Sequence, residues 1–449
     1  MNLKRILSGS IALLTLSVAA RADVEILITG ATAFRTAAMN AIKAQYDIGN
    51  SGVDYDFAHN AVAGSFNAAD RVTFKGKFPG VAGITTIRCS WNGSVEGVRA
   101  VAVPNSTNNP FFITDAALAS PGLDAGEGLD ENANVGGSTV QQAAKFSFSD
   151  VRQSSTPISS PTLEPADAKV GVVVFSMIVN EGAPAGFLNV SFQQFKALFS
   201  GGFLPASVFT GDPANTNNVY ATGRNDGSGT RTTYMAESGL GITTLVSQSI
   251  ALTNSGDNIT SIQRVPAGGV NDSDPVTPGI QPYPGQATGN ASTVWSQDLD
   301  GNGGYVSGSS LRTAMGRTSN SVTVRDADYS ILDGPVNIHL LTFLSNPDAL
   351  TARTNGGRIL GWNGSKMDSL TTGTTLTLAD RQKVTHGQYS AWSFQQLYYN
   401  GSLSTDENAV YGAIKGGIDS TLIAAGYVPG IPSVDMQVTR SDDGAPIAP

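Results

Sequence analysis

Residues 25–29 form a short apolar run that stops at the small-residue turn Gly30-Ala31-Thr32-Ala33. Apolar positions then recur at helical spacing over 34–46, with Met39 and Ile42 on one side. The pattern predicts strand, tight turn and helix, the opening unit of an α/β fold. It repeats at 85–90, where a strand leads through Trp91-Asn92-Gly93-Ser94 into a short helix over 95–102. Residues 145–149 alternate as a strand and stop at Asp150. The run 170–179 is continuously apolar, as in a strand covered on both faces. A helix is predicted over 192–199 and a strand over 219–222. Helical spacing further predicts helices at 309–315, 337–344, 388–399 and 410–425, with a strand at 359–362. Segments 104–137 and 250–300 are rich in Pro, Gly, Asn and Asp; the first reads as an inserted surface loop, the second as long loops or hairpins. The tail beyond 425 is expected to be disordered. Strands alternating with helices predict an α/β protein with mostly parallel sheets.

Composition narrows the class. A chain of 449 residues allows about two or three domains or lobes. Only 14% of residues are charged, against roughly a quarter in average soluble proteins. That scarcity, with 51 glycines, suits an exported protein with long polar loops. The formal charge of −9, with 27 Lys and Arg, argues against a nucleic-acid partner. Lys4 and Arg5, the apolar stretch 6–19 and Ala20-Arg21-Ala22 read as a signal peptide over 1–22. A mature chain from Asp23 is then expected in the periplasm or secreted, with no membrane anchor. The lone Cys89 has no partner for an internal disulfide and reads as a buried, inert thiol.

The segment with the most chemical content is Arg224-Asn225-Asp226-Gly227-Ser228-Gly229-Thr230. A Gly/Ser/Thr loop here runs directly into a predicted helix. The unpaired N–H groups and positive dipole end of a helix start favour an anion. Ser228 and Thr230 add hydroxyl donors, and Arg224 adds a planar fork of charged donors. Asn-Asp-Gly is equally a hairpin signal, so the segment alone leaves both readings open.

Three other turns share its layout. Thr32, Ser94 and Asp150 each follow a predicted strand, at or near a helix start. Ligands of open α/β sheets gather off such carboxyl ends. Gly30-Ala31-Thr32, Gly93-Ser94, Ser149-Asp150 and Arg224 to Thr230, in that order, resemble the turns of the phosphate-binding substrate-binding proteins of ABC transporters. The resemblance extends to the crossing strand at 170–179 and to the aromatic segment from Gly387 to Tyr399. Ala33 stands where a Phe is common in that family, and Arg35 where a small residue or Pro is expected. The resemblance implies a two-lobed, periplasmic-binding-protein-like fold of type II with the ligand cleft between lobes. One lobe would comprise 23–168 plus 359–449, the other 169–358. It implies inorganic phosphate as ligand, an ABC-type membrane permease as partner, and no catalysis or cofactor. Backbone N–H groups of Thr32, Ala33, Gly229 and Thr230, hydroxyls of Thr32, Ser94, Ser228 and Thr230, and the Arg224 guanidinium would surround the anion. Asp150 would accept the proton that phosphate carries and sulfate lacks; a helix cap is its other reading.

Further candidates are weaker. Asp298-Leu299-Asp300-Gly301-Asn302 has the alternating oxygens of a calcium loop, but Ser309 stands where its bidentate Glu belongs. His59, His339 and His386 have no metal-site spacing, so no metal is expected. Two other functions remain open. One is a surface or matrix protein that keeps the binding fold without transport. The other is a phosphatase-like hydrolase using Ser94 or Ser228, although a Gly-x-Ser-x-Gly elbow is lacking.

Overall fold

The computed structural model describes residues 23–49, 55–106, 108–118, 129–265, 304–305, 307–326 and 330–449. The expected signal peptide and the calcium-like loop lie outside the described residues. No described helix is long and apolar enough to cross a membrane.

The strand Val24–Gly30 pairs in parallel with Ile84–Ser90 on one side and Phe146–Ser149 on the other. Parallel pairing sets the carboxyl ends of all three strands at one sheet edge. The turns carrying Thr32, Ser94 and Asp150 therefore emerge side by side. In a second group, Asn218–Ala221 pairs in parallel with Ile338–Ser345. Its carboxyl end delivers the Arg224 turn.

The strand Lys169–Val179 joins the two groups. Its first half pairs with Trp392–Tyr399, which in turn pairs with Phe146–Ser149. Its second half pairs with Ile338–Ser345 and with Arg358–Trp362. All its residues after Lys169 are buried, as the unbroken apolar run requires. The result is a two-lobed α/β molecule. Arg358–Trp362 sits with the second group of strands rather than the first.

The sheets are mixed rather than mostly parallel, because Tyr55–His59, Arg71–Lys77 and Ile84–Ser90 form an antiparallel meander. Segments 337–344 and 388–399, expected as helices, hold the strands Ile338–Ser345 and Trp392–Tyr399. Ile338–Ser345 is buried at every position, and such a run carries no period that separates helix from strand. Trp392–Tyr399 is rich in aromatics that favour strands, and Gly387, at φ 76°, stops the preceding helix Leu378–Thr385. The expected loop 104–137 contains Phe111–Ile113, paired with Thr139–Gln141, and Leu129–Asn132, paired with Tyr55–His59. The hairpin Gln248–Ser255 with Asn258–Val265 occupies the start of the 250–300 segment. Cys89 is buried, and burial pushes its thiol far above the usual range, which makes it inert.

The tail beyond 425 is ordered, contrary to expectation. Ile431 exchanges backbone hydrogen bonds of 2.8 and 2.9 Å with Val172. Further on, Arg440 forms a 2.8 Å ion pair with Glu237, both side chains being buried. It also donates to Ser390 O at 2.9 Å and lies over the Trp392 ring. The Arg152 N–H donates to Asp443 Oδ2 at 2.7 Å, and Ser154 donates to Asp442 at 2.9 Å. A Cβ on Gly444 would stand 2.5 Å from Ala236 C, so only glycine fits. The tail thus straps the loop after Phe146–Ser149 to the helix Gly229–Glu237. Ser441-Asp442-Asp443-Gly444 is a polar string without periodicity, and it is held by individual hydrogen bonds beside the Arg440–Glu237 ion pair.

Burial first, and Asp442 also, push the Asp443 carboxyl up to about 6, against the opposing Ser155 and Arg152 hydrogen bonds. The fold therefore favours the neutral acid. The stability this adds is fully present below the ordinary aspartate range and is lost as pH rises through about 6. Asp443→Asn, which stays neutral, is expected to melt higher than the parent at about pH 8 and alike near pH 4. Equal melting at both pH values would remove the strap carboxylate from this role.

Candidate functional site

Three of the four turns, all but that of Asp150, are shaped by a glycine that nothing larger could replace. Gly30, at φ 118°, turns so tightly that a Cβ would stand 1.9 Å from Phe148 O. Gly93, at φ 119°, would meet Gly227 O at 2.5 Å, and its N–H donates to Gly30 O at 3.0 Å. These contacts fix Thr32 and Ser94 beside one another. Ser94 opens the helix Ser94–Ala102, and Ser228 caps the helix Gly229–Glu237 by accepting from the Arg231 N–H at 3.3 Å. Two helix starts therefore face one another across the lobes. The Val95 N–H donates to Gly227 O at 3.1 Å between them.

Asp150 lies at the meeting point. Its carboxylate accepts the Ser94 hydroxyl on one oxygen and the Thr230 hydroxyl, at 3.3 Å, on the other. Its own N–H donates to Ser94 Oγ at 3.2 Å. A Cβ on Gly229 would fall 1.6 Å from Asp150 Oδ1, so this carboxylate requires glycine at position 229. The helix-cap reading of Asp150 does not hold, because both carboxylate oxygens take hydroxyls from other turns. Arg224 reaches across the lobes, donating from Nη1 to Thr32 Oγ1 at 3.1 Å and from Nε to Tyr305 O at 2.9 Å. Asp150 is 1% exposed, Arg224 2%, and Ser94, Ser228 and Thr230 are no more than 3% exposed. Thr32 and Ala33 retain 6% each. The structure joins Thr32 with Arg224, and Ser94 with Asp150 and Thr230 beside Gly229, while Ala33 follows Thr32 in the chain and Ser228 caps the adjoining helix.

Burial is the main electrostatic influence. It pushes the Asp150 carboxyl above its usual range, while the Ser94 hydrogen bond, the Arg224 charge and the Thr230 hydroxyl pull the other way. It lowers the Arg224 guanidinium to about 10, against the pull of Asp348 and Asp150. Arg224 remains charged at neutral pH. One cation, several hydroxyls, two helix starts and one carboxylate suit an anion that carries a proton. No described hydrogen bond joins a histidine to Ser94, Ser228 or Thr230; His59 bonds to Glu131 instead, at 2.8 Å.

Several neighbours carry no signal in the sequence. Tyr305 follows an aperiodic stretch, yet its carbonyl orients the Arg224 guanidinium. Glu96, in the first turn of Ser94–Ala102, pairs with Arg99 and packs against Gly227. Burial first, then Asp226, raises its carboxyl against the lowering effect of Arg99. Arg35 pairs with Asp70 at 2.6 Å, and Arg312 with Asp348 at 2.7 Å. These two pairs flank a cavity of about 210 Å³ whose wall includes Thr32 and Ala33.

No family model matches the chain, and no curated protein sequence matches it. Among solved structures it is similar to a protein from Clostridium perfringens assigned as a phosphate ABC-transporter substrate-binding protein, solved with bound phosphate. That likeness has 9% identity over 90% of this chain and 98% of that one, with a TM-score of 0.40. It is also similar to PstS from Borrelia burgdorferi, at 10% identity over 90% and 97% of the chains and a TM-score of 0.34. A third structure, assigned to phosphate binding, comes from Planctomyces limnophilus DSM 3776. It shows 8% identity over 92% and 95% of the chains, with a TM-score of 0.37. All three likenesses are distant.

Proposed function

We propose that this is an exported, non-enzymatic solute-binding protein that holds one inorganic phosphate between its lobes. The observation that carries the reading is the enclosed Asp150 carboxylate, which takes Ser94 from one lobe and Thr230 from the other. Closing the lobes around phosphate would remove water and strengthen each polar contact. We assign 23–168 and the segment from Trp392 onwards to one lobe, and the stretch from Lys169 through Trp362 to the other. A periplasmic or secreted location after cleavage near Ala22, and delivery to an ABC-type permease, complete the proposal.

Calorimetric titration of phosphate, arsenate and sulfate into the mature chain tests it. Phosphate is expected to bind at least about tenfold more tightly than sulfate at neutral pH, the worth of one mismatched buried hydrogen bond. Acidification neutralises Asp150, whose carboxyl is raised by burial. The preference for phosphate over sulfate should therefore fall as pH falls. Equal affinity at neutral pH, or a preference that grows on acidification, contradicts the role given to Asp150. A chromogenic phosphate ester should yield no product; hydrolysis lost in Ser94→Ala would identify an enzyme instead.

A further inference from the structure

Glu96 stands where the two lobes meet, in the first turn of the helix Ser94–Ala102. The Val95 N–H beside it donates to Gly227 O at 3.1 Å. A Cβ on Gly227 would stand 2.8 Å from Glu96 Cγ and 3.1 Å from its Oε1. Val95 and Glu96 of one lobe thus hold the Gly227 turn of the other, and that turn covers part of the buried Glu96 side chain. Two charged groups act on the carboxylate among the described residues. The Arg99 guanidinium donates to Oε1 from the next turn of the same helix, and Asp226 opposes it from the facing turn. Part of the burial and all of the Asp226 charge come from the other lobe, whereas Arg99 belongs to the same helix. An anion seated at the start of that helix would add a further negative charge close to Glu96. Closing the lobes therefore strengthens what opposes ionisation of Glu96 and leaves what favours it unchanged.

We propose that Glu96 is a positioning residue that ties lobe closure, and with it retention of phosphate, to a proton: neutral, it holds the Gly227 turn; ionised, it loosens it. The inference rests on the anion reading of the adjoining turns. A closed state that binds the proton more tightly than the open one is favoured at low pH, and that advantage is lost as pH rises through the closed-state titration of the carboxyl. Asp150 and Glu96 then divide the work. Asp150 discriminates between anions, and Glu96 sets how firmly the lobes close on whichever anion is held. Glu96→Gln keeps the shape of the side chain and stays neutral, so it should hold the Gly227 turn at every pH.

Calorimetric titration of inorganic phosphate into the mature chain and into Glu96→Gln across the pH range tests this. The titrations of Asp150 and of phosphate itself are common to both proteins and cancel in the ratio of their affinities. The two should bind alike near pH 4, and the variant about tenfold more tightly near about pH 8, since each unit by which closure raises the carboxyl is worth about tenfold. Stopped-flow displacement should place that gain in slower release, because the contact acts once the anion is seated. A gain confined to faster association would be the steering effect of one negative charge fewer, and it overturns the proposal. An affinity ratio that does not change with pH leaves Glu96 as packing alone. A variant weaker than the parent near about pH 8 would make the ionised Glu96–Arg99 pair the closing element. Either result also overturns the proposal, with the anion reading still standing. Failure of the parent to bind phosphate at any pH overturns the anion reading and the proposal with it.

Discussion

Arg224→Ala is expected to weaken phosphate, arsenate and sulfate alike, by about a hundredfold or more. The guanidinium is 2% exposed and points between the lobes, where Nη1 reaches Thr32 Oγ1 and Nε is fixed on Tyr305 O. A charged donor contributes about 1.5–3 kcal/mol for each hydrogen bond, and a planar fork makes two to one oxyanion. Arg224→Lys keeps the charge but not the fork, so it should recover only part of the loss. The same residue also holds the structure together locally, because its removal strips a donor from Thr32 and from Tyr305. Calorimetry and ligand-free melting separate the two roles. A ligand residue loses affinity in protein that is still folded. Unchanged affinity in the folded fraction, with a large fall in melting temperature, would make Arg224 structural only.

The four turns were legible in the sequence for a physical reason. A turn that brings backbone N–H groups close together has to be built from Gly, Ser and Thr, and those residues stand out after apolar strands. Gly30, Gly93 and Gly229 each occupy a place where a Cβ would collide with a neighbouring strand or turn. The opening strand and the buried run 170–179 were legible because apolar texture decides them. Ile338–Ser345 and Trp392–Tyr399 were misread as helices, because their strand partners lie far away in the chain. A fully buried run shows no alternation from which to read a period. Tyr305, Asp70 and Asp348 were not legible, since single polar residues in aperiodic segments carry no local signal. Their roles exist only once distant parts of the chain are folded together.

Arg440 and Glu237 lead to the second large expected effect. The pair joins the C-terminal strap to the end of the helix Gly229–Glu237, with side chains 4% and 6% exposed. Removing one partner of a buried pair leaves the other charge without compensation, at a cost of about 3–5 kcal/mol. Arg440→Ala should therefore lower stability by about that much, with some of the loss due to the Trp392 stacking. Arg440→Leu combined with Glu237→Leu removes both charges and should recover most of it, because an apolar pair of similar volume is often neutral. The strap also ties Arg152 to the helix that presents Gly229 and Thr230, so it resists separation of the Asp150 turn from the Thr230 turn. The double variant, folded but without the ionic tie, should release phosphate faster than the parent in a stopped-flow displacement experiment. The proposed handover to a permease would require that separation, so a slow parent and a fast double variant would favour retention of phosphate over rapid delivery. Equal release rates would show that the strap stabilises the fold without governing the cleft.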